Sequence, residues 1–472
     1  MTATEVSILT ESKERIDLDI NIPSNVKKVM NKLEDKGFEA FIVGGCVRDS
    51  LMGITPHDFD IATNAVPEQM KECFSDMNTF DTGIKHGTIT VVSDNENIEV
   101  TAYRIDGRYS DNRHPESVKF TGNIVEDLSR RDFTVNSMAY SHRTGIIDRF
   151  GGQRDLFNRC IRCVGDPDKR FNEDALRIIR ALRFASCLDF TVEDKTAEAI
   201  RKNCGLLENI SRERISSELK KFLCGTAPAS QLIQFPEVFT NIIPEFKSCV
   251  GFDQHSVLQI YDIWEHTAHA VENSAKDKYV RLALFFHDIE KPSHIRLDDE
   301  GNGRFPGHEK ASAETAEKIM QRLKFDNKTT ETVCTLIKYH YVIPVDDKIV
   351  VKKLLSRIGE KNFIRLLEVL KGDSRAKQSI FLEKLSAVDS MKILMYDIIR
   401  SGEAFREDML AINGTDIEEN GFSGREIGTA KARLLELVME GKLENTQEAL
   451  TAALSDRENI LKETPSDIIP IP

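Results

Sequence analysis

The sequence predicts an α+β protein, with a mixed α/β head followed by a remainder that is almost entirely helical. Between residues 22 and 160, short apolar segments alternate with short polar loops, which is typical of strands in a sheet. After the segment RCVGDP, nearly every segment has the residue pattern of a helix. A chain of 472 residues is also too long for one compact core, so we expect roughly two to four domains.

The head is predicted to begin with a helix and to contain five strands. Pro23 and Ser24 precede NVKKVMNKLEDK, which predicts a helix with Ser24 as its N-cap and Gly37 just past its end. The predicted strands are FEAFIVGG, DFDIAT, HGTITVV, NIEVTAYR and SVKFTG. Beyond the head, the predicted helices include NEDALRIIRALRFA, DKTAEAIRKN and SRERISSELKKFLCG.

Neither a membrane span nor a secretory signal is expected. No stretch approaches the roughly 18 to 20 apolar residues that a spanning helix needs. The opening segment MTATEVSILTESKERIDLD is polar and acidic and lacks the layout of a signal peptide. We therefore expect a cytoplasmic protein with no membrane partner, and no obligatory protein partner is evident.

The net charge of −13 argues at first against a nucleic-acid partner, but the charge is unevenly distributed. Residues 101–185 contain 16 Lys and Arg against 12 Asp and Glu, and 14 of the 16 are arginine. Arginine is suited to bidentate contacts with phosphate. Charge alone leaves two interpretations open, a surface of salt bridges and a surface that contacts phosphates.

A pair of aspartates in the head has the spacing of a metal site. Side chains alternate along a strand, so Asp58 and Asp60 of DFDIAT are expected on one face, roughly 7 Å apart. Two such carboxylates repel unless a cation lies between them, and divalent metals are held by carboxylates together with substrate phosphates. Two ions about 4 Å apart would activate a hydroxyl and stabilise a leaving pyrophosphate. Glu99, in the predicted strand NIEVTAYR, is the candidate for a third carboxylate.

A glycine turn upstream has the pattern of a phosphate site. Gly44 and Gly45 lie between a predicted strand and VRDSLMG, which has the pattern of a helix start. A ligand can approach glycine backbone closely, a helix N-terminus favours phosphate, and Arg48 can reach the same phosphates. We therefore predict a nucleoside triphosphate on this turn, bridged by metal to the aspartates. Either motif alone is common by chance, so the prediction depends on their combination.

GGCVRD followed by HDFDIAT resembles the signature of class II tRNA nucleotidyltransferases and bacterial poly(A) polymerases. The resemblance continues in order and covers nearly the whole chain. EVTAYRIDGRYSDNRHP is similar to the flexible loop region of CCA-adding members. SRRDFTVNSMAY is similar to the ribose-selecting motif, and RFNEDALRIIRALRFA to the nucleotide-choosing motif E-D-x-x-R.

The resemblance implies a polymerase-beta-like nucleotidyltransferase head with a mixed sheet, followed by an all-α neck, body and tail. In such a head Asp58 and Asp60 bind two Mg²⁺ ions, and Glu99 completes the catalytic set. Short polar side chains of the ribose-selecting motif, which include Thr134, would hydrogen-bond a 2′-hydroxyl, although Asp132 would also suit a helix cap. The implied nucleotide-binding residues are Gly44, Gly45, Arg48, Arg131, Asp132, Asn136, Asp174, Arg177 and Arg180.

Base choice is predicted to depend on Asp174 and Arg177, which are three residues apart and would be neighbours on one helix face. A carboxylate only accepts hydrogen bonds and a guanidinium only donates them. Cytosine and adenine present an amine beside an acceptor nitrogen, so this pair would admit CTP and ATP and leave groups unpaired with UTP or GTP. The alternative is a surface ion pair worth a few tenths of a kcal/mol. Arg180 is expected near the triphosphate.

The implied reaction is template-independent addition of CCA to tRNA 3′ ends from CTP and ATP, with release of pyrophosphate. The implied domains are a catalytic head at 22–160, a base-recognising neck at 161–225, a body with an HD-type domain at 226–345 and a tail at 346–472 that binds tRNA. Poly(A) polymerase and a partial enzyme remain open, although the loop argues against CC-only addition. His114 stands where many relatives have arginine. The alternatives from other classes are a metal-dependent phosphohydrolase and an RNA-binding protein without activity.

Seven of the eleven histidines lie between residues 255 and 340, which suggests a divalent-metal hydrolase site. DIWEHTAHAVENS followed by LALFFHDIEKP resembles the HD phosphohydrolase domain. The resemblance implies a second divalent-metal site with His266, His287 and Asp288 as ligands and with His308 and His340 nearby.

This segment also departs from the HD pattern. Glu290 replaces the glycine of H-D-I-G-K, and Tyr341 stands where an aspartate usually follows the last histidine. The fourth ligand is therefore open, with Asp346 as a distant substitute. A helical scaffold that supports tRNA is the alternative to an active hydrolase.

Overall fold

The computed structural model describes residues 20–107, 117–256, 260–377 and 382–461. These residues form two compact units that divide after Ile210. The predicted flexible loop is described only as far as Gly107 and again from Ser117, so most of that motif, with His114, lies outside the described residues. Among the described helices none is long and apolar enough to cross a membrane.

The first unit is built on a seven-stranded mixed sheet with the order β3-β4-β5-β2-β1-β8-β9. β2 and β5 are parallel neighbours, and the other pairs of this sheet are antiparallel. β4 and β5 are joined by a two-residue turn, Asp94 and Asn95, both at positive φ. The strands of this unit are β1 (Ala40–Val43), β2 (Asp60–Thr63), β3 (Thr79–Gly83), β4 (Thr88–Ser93), β5 (Glu96–Ala102), β6 (Arg104–Asp106), β7 (Val118–Phe120), β8 (Ala139–Ser141), β9 (Gly145–Ile147), β10 (Cys160–Ile161) and β11 (Thr191–Val192).

Both faces of the sheet are covered, so β1 is buried along its whole length. Ile42 packs into a cluster with side chains of α1 and α3, whereas Phe41 and Val43 pack on the opposite face with α4. The helices of this unit are α1 (Ser24–Asp35), α2 (Gly45–Leu51), α3 (Pro67–Cys73), α4 (Ile124–Ser129), α5 (Gly152–Phe157), α6 (Pro167–Glu173), α7 (Leu176–Leu188) and α8 (Asp194–Asn203). The predicted α+β class is confirmed.

Two local predictions at element starts are wrong. α1 begins at Ser24 with Pro23 as its N-cap, because the Pro23 carbonyl accepts the first helical hydrogen bond from the Lys27 N–H at 2.9 Å. β2 begins at Asp60, so Asp58 lies in the preceding loop rather than on the strand.

The predicted helix NEDALRIIRALRFA is in fact two helices. α6 ends at Glu173, and Asp174 has an extended backbone conformation with φ −139° and ψ 103°. The Asp174 carboxylate accepts a hydrogen bond from the Leu176 N–H at 3.1 Å and so caps the start of α7.

The second unit is helical apart from one short hairpin of β12 (Arg296–Leu297) and β13 (Gly303–Arg304) among the residues described. α16 bends at Gly359, which has φ 73°. The helices are α9 (Arg212–Leu223), α10 (Pro228–Gln234), α11 (Pro236–Ile242), α12 (Ile263–Glu272), α13 (Lys278–Phe286), α14 (His308–Arg322), α15 (Asn327–Tyr339), α16 (Lys348–Arg375), α17 (Leu382–Ser401), α18 (Gly414–Glu419), α19 (Arg425–Met439), α20 (Gln447–Ala453) and α21 (Arg457–Ile460).

Candidate active site

Two carboxylates are brought together by the parallel pairing of β2 and β5. Asp60 and Glu99 are direct partners in the strand register, and both line a cavity of about 540 Å³. Burial raises the pKa of Asp60, and the charges of Glu99 and Asp58 raise it further. Asp58 therefore lies close enough to interact from the loop, although it does not line the cavity. The three predicted carboxylates share one end of the sheet.

The glycine turn borders the same cavity. Gly44 has φ 78° and ψ −126°, a backbone conformation that side-chain-bearing residues rarely adopt, and Gly45 opens α2. A Cβ on Gly44 would lie 3.0 Å from Nη1 of Arg131, so the position is also sterically tight. Arg48, one turn into α2, also lines the cavity.

Arginines outnumber carboxylates in the lining of the cavity. Among the described residues, the ionisable side chains that line it are seven arginines and four carboxylates. Several of these arginines also pair with carboxylates outside the lining, as Arg130 does with Asp127 and Arg177 with Glu173. Sequence reasoning identified four of these arginines and missed three, which lie inside the quoted motifs but were not assigned a role there. The missed arginines are Arg104, Arg130 and Arg183.

The segment SRRDFTVN contributes a hydrogen-bonded chain of side chains, and its 3₁₀ helix at Thr134–Asn136 has Phe133 rather than Asp132 at the N-cap. Oδ2 of Asp132 accepts hydrogen bonds from Nε and Nη2 of Arg180 at 3.0 and 2.6 Å. Burial raises the pKa of Asp132, but Arg180 lowers it below its ordinary value. Asn136 donates to Oδ1 of Asp132 at 3.3 Å and accepts from Nη1 of Arg48 at 2.5 Å. Thr134 donates instead to Asp155 at 2.6 Å and does not line the cavity.

Asp174 and Arg177 both line the cavity, but they do not share one helix face as predicted. Asp174 caps α7 from outside it, and Arg177 lies in its first turn. Nη1 of Arg177 is 2.8 Å from Oε2 of Glu173, and Nη2 donates to the Arg130 carbonyl at 3.1 Å. These contacts hold the guanidinium in a fixed position at the cavity wall.

The second unit brings the five predicted HD residues into one buried cluster. Their exposed fractions lie between 0 and 4%. Oδ2 of Asp288 is 3.2 Å from Nε2 of His287 and 3.6 Å from Nε2 of His266. Its other oxygen, Oδ1, is 3.4 Å from Nε2 of His308 and 3.6 Å from Nε2 of His340. Asp288 thus lies between two histidine pairs.

The ring orientation of these histidines leaves Nε2 directed at the cluster. Nδ1 of His287, His308 and His340 lies 2.7, 2.6 and 2.7 Å from the backbone carbonyl three residues earlier. Nε2 of His287 is only 3.3 Å from Nε2 of His266. Burial lowers the pKa of His340 to about 4, whereas Asp288 and Asp373 overcome burial and raise the pKa of His287 to about 9.

The second carboxylate of the cluster is Asp373, which the sequence did not reveal. Its Oδ1 is 3.0 Å from Nε2 of His266, whereas Asp346 is exposed. Two lysines lie beside the carboxylates, with Lys291 2.7 Å from Asp288 and Lys377 2.5 Å from Asp373. Asp373 lies within a long helix with an ordinary amphipathic pattern, so no local signal distinguished it.

Comparison with known proteins gives matches to both units. The family model described as "Poly A polymerase head domain" matches residues 40–162, and the model described as "HD domain" matches residues 257–358. The CCA-adding enzyme of Lactobacillus helveticus is 36% identical over 91% of this chain and 96% of its own length. That of Enterococcus faecalis is 32% identical over 91% and 95%. A solved structure of the Bacillus stearothermophilus CCA-adding enzyme in complex with CTP matches with a TM-score of 0.71 and 27% identity, over 93% of this chain and 98% of that chain.

Proposed function

The chain belongs to the family of CCA-adding enzymes, and on that premise we propose that it adds C, C and A to the 3′ end of tRNA from CTP and ATP. The single observation that supports the site assignment is the register pair Asp60–Glu99 beside the Gly44–Gly45 turn, in one cavity. Carboxylates, close-approaching glycine backbone and an excess of arginine are the groups that nucleotidyl transfer requires.

The carboxylate set suits a divalent cation. The pKa of Asp60 is raised by burial and by Glu99 and Asp58, which is the repulsion that a bound cation would relieve. We assign two Mg²⁺ ions to Asp58 and Asp60, with Glu99 completing the set. When bound, they would supply charge neutralisation at the attacking hydroxyl and the leaving pyrophosphate.

The reaction needs no protein nucleophile. The 3′-hydroxyl oxygen of tRNA forms a bond to the α-phosphorus, and the bond from that phosphorus to the bridging oxygen breaks, which releases pyrophosphate. Arg48, Arg131 and Arg180 are placed to bind the triphosphate, with Gly44 and Gly45 allowing its close approach. Asp132 and Asn136 orient Arg180 and Arg48 and are our candidates for ribose selection.

Base choice is assigned to Asp174 and Arg177. The carboxylate of Asp174, which accepts the Leu176 N–H, is assigned to accept a hydrogen bond from the exocyclic amine as well. Arg177 donates to the neighbouring ring nitrogen. This arrangement selects cytosine and adenine without a nucleic-acid template. We assign the neck to residues 161–225 and tRNA-acceptor binding to the tail at 346–472, in a cytoplasmic enzyme.

The test is extension of a tRNA that lacks its 3′ CCA, with Mg²⁺ and each labelled nucleotide. Wild-type protein should stop after C, C and A. Asp60→Asn should lower the rate at least about a thousandfold. Asp81→Asn, an exposed carboxylate of β3 outside the cavity, should retain it. A long A tract would identify a poly(A) polymerase, and a single added A a partial enzyme.

A second function is favoured by the position of Asp288 between two histidine pairs. Three of the Nδ1 atoms are satisfied by backbone carbonyls, which directs the corresponding Nε2 atoms at the cluster as in metal ligands. A bound metal would displace the proton that the raised pKa of His287 keeps on its ring. We propose that His266, His287, Asp288 and Asp373 hold a divalent metal for phosphoester hydrolysis, with His308 and His340 beside it. When the metal binds, Lys291 and Lys377 would give up their ion pairs with Asp288 and Asp373 or would contact the phosphate of the substrate.

Metal content by mass spectrometry after dialysis tests this second function separately. Asp288→Asn should lose the bound metal of the second unit and retain CCA addition. Asp60→Asn should retain the bound metal of the second unit and lose CCA addition. Equal metal content in wild type and Asp288→Asn would mean that the lysine-paired cluster is a structural core.

A further inference from the structure

Phe184 lies on α7 in the wall of the nucleotide cavity, and its side chain is only 8% exposed. It follows Arg180 by four residues, which places both side chains on one side of the helix. No part of the predicted chemistry uses an aromatic ring at this position.

Three arginines gather on this ring. The guanidinium carbons of Arg183, Arg48 and Arg180 lie 3.9, 5.3 and 5.4 Å from the ring centroid. Arg180 and Arg183 come from α7, whereas Arg48 comes from α2, so the ring joins the glycine-turn helix to the base-reading helix. Cations within about 6 Å of an aromatic centroid are attracted by its quadrupole.

An aromatic ring has a property here that a carboxylate lacks. Three guanidinium groups around one cavity repel each other, and Asp132 pairs with Arg180 and Asp49 with Arg48, whereas the ring of Phe184 contacts all three arginines. A carboxylate that took the place of the ring would cancel more of the positive charge that a triphosphate requires. The ring carries no net charge, so it holds the guanidinium groups while leaving their charge available to the ligand.

The ring is itself held in place. Phe133, which is fully buried and follows Asp132 directly, packs against it edge-on with centroids 5.7 Å apart and an interplanar angle of 74°. The ring therefore has a fixed plane on which the arginines assemble before a ligand arrives. Preorganised cations bind an anion without the entropic cost of collecting them.

We propose that Phe184 is a positioning residue for the incoming nucleotide, which holds Arg48, Arg180 and Arg183 in place for its phosphates. The inference rests on the proposed nucleotidyl transfer but concerns the phosphates, which CTP and ATP share. It therefore predicts a loss that does not depend on the base, unlike substitutions at Asp174 or Arg177.

The test compares Phe184→Leu, which keeps apolar bulk but removes the ring, with Phe184→Tyr, which keeps the ring. Steady-state KM and kcat are measured for CTP and for ATP, and binding of inorganic tripolyphosphate is measured by calorimetry. We expect Phe184→Leu to raise KM for both nucleotides and to weaken tripolyphosphate binding about tenfold, with a smaller fall in kcat. Phe184→Tyr should restore all three to within about twofold of wild type.

Phe190→Leu is the matched control. Phe190 is also buried and carries a guanidinium, with Arg159 5.8 Å from its centroid, but it does not line the nucleotide cavity. It should leave KM for both nucleotides unchanged.

Three results would overturn the proposal: wild-type tripolyphosphate binding in Phe184→Leu, a loss confined to one nucleotide, or a tyrosine variant no better than leucine. If Phe184→Leu does not fold, Phe184→Met replaces it, and failure of both to fold would show that the ring is needed for packing rather than for positioning. Wild-type protein that binds tripolyphosphate but never extends tRNA would refute the proposed transfer function and leave this inference standing.

Discussion

Replacing Asp174 by asparagine separates the helix-capping contact of this side chain from the base-reading role that we propose for it. Oδ1 of Asp174 accepts the Leu176 N–H at 3.1 Å and caps α7. Asparagine is as good an N-cap as aspartate, so Asp174→Asn keeps the helix start, whereas alanine would lose it at about 1 kcal/mol. With its oxygen used by the cap, the asparagine would present its NH₂ group to the base.

The expected change in base choice follows because asparagine would present a hydrogen-bond donor where aspartate presents an acceptor. The exocyclic amine of cytosine would lose a charge-assisted hydrogen bond and face a donor, which costs about 1.5–3 kcal/mol. That loss corresponds to a fall of about 10- to 150-fold in kcat/KM for CTP. The O4 carbonyl of uracil would gain a donor, but Arg177 would still face its N3–H, so UTP should improve without reaching CTP levels.

Single-nucleotide incorporation into a tRNA that awaits its first C measures both effects. We expect the CTP-to-UTP ratio of kcat/KM to fall about a hundredfold, with the melting temperature within about 2 °C of wild type. An unchanged ratio in a folded variant would refute the assignment of Asp174 to base reading. A large fall in melting temperature with an unchanged ratio would leave it only the capping role.

Three further predictions concern stability and the glycine turn. Arg281 is 1% exposed and donates hydrogen bonds to five backbone carbonyls. Arg281→Met should therefore destabilise the second unit by about 4 kcal/mol in urea unfolding, because these carbonyls would lose their donor. The control, Arg322→Met at an exposed ion pair, should cost under about 1 kcal/mol. Partial burial raises the pKa of Glu403, but two lysines and a serine lower it to about 2. Glu403→Gln should therefore lower the free energy of unfolding by about 1 kcal/mol at pH 7. This difference in stability between wild type and variant should disappear as pH falls from about 4.5 towards 2. Gly44→Ala places a methyl group 3.0 Å from Arg131 at a φ of 78° and should raise KM for both nucleotides about tenfold with little change in tRNA binding. A tRNA affinity that fell as much as nucleotide affinity would contradict this local explanation.

The fold was predictable where a segment is long enough to show the hydrophobic periodicity of a strand or helix. β4 and β5 span six and seven residues with clear apolar runs, and both were predicted from the sequence. β8 and β9 span three residues each and exist because they extend the sheet from β1. Segments that short have no period of their own, so tertiary pairing decides them.

The site was predictable where its residues are close in sequence or carry distinctive chemistry. Gly44, Gly45 and Asp60 lie within one strand–helix–strand segment, and their combination there indicated phosphate and metal. The break at Asp174 was hidden because good helix formers lie on both sides of it. Asp373 reaches the histidine cluster from a distant helix, and only the packing of α16 against α12 and α13 reveals it.

The parallel pairing of β2 with β5 also sets an order for maturation during synthesis. The Asp94–Asn95 turn closes the β4–β5 hairpin locally, on a timescale of about 1–10 μs. β2 is made earlier but must wait for β5 before Asp60 gains its partner, because the intervening chain has to return to it. Asp174 leaves the ribosome later still. A nascent chain thus passes through a stage in which Asp60 and Glu99 are aligned but Asp174, to which we assign base choice, has not yet been added.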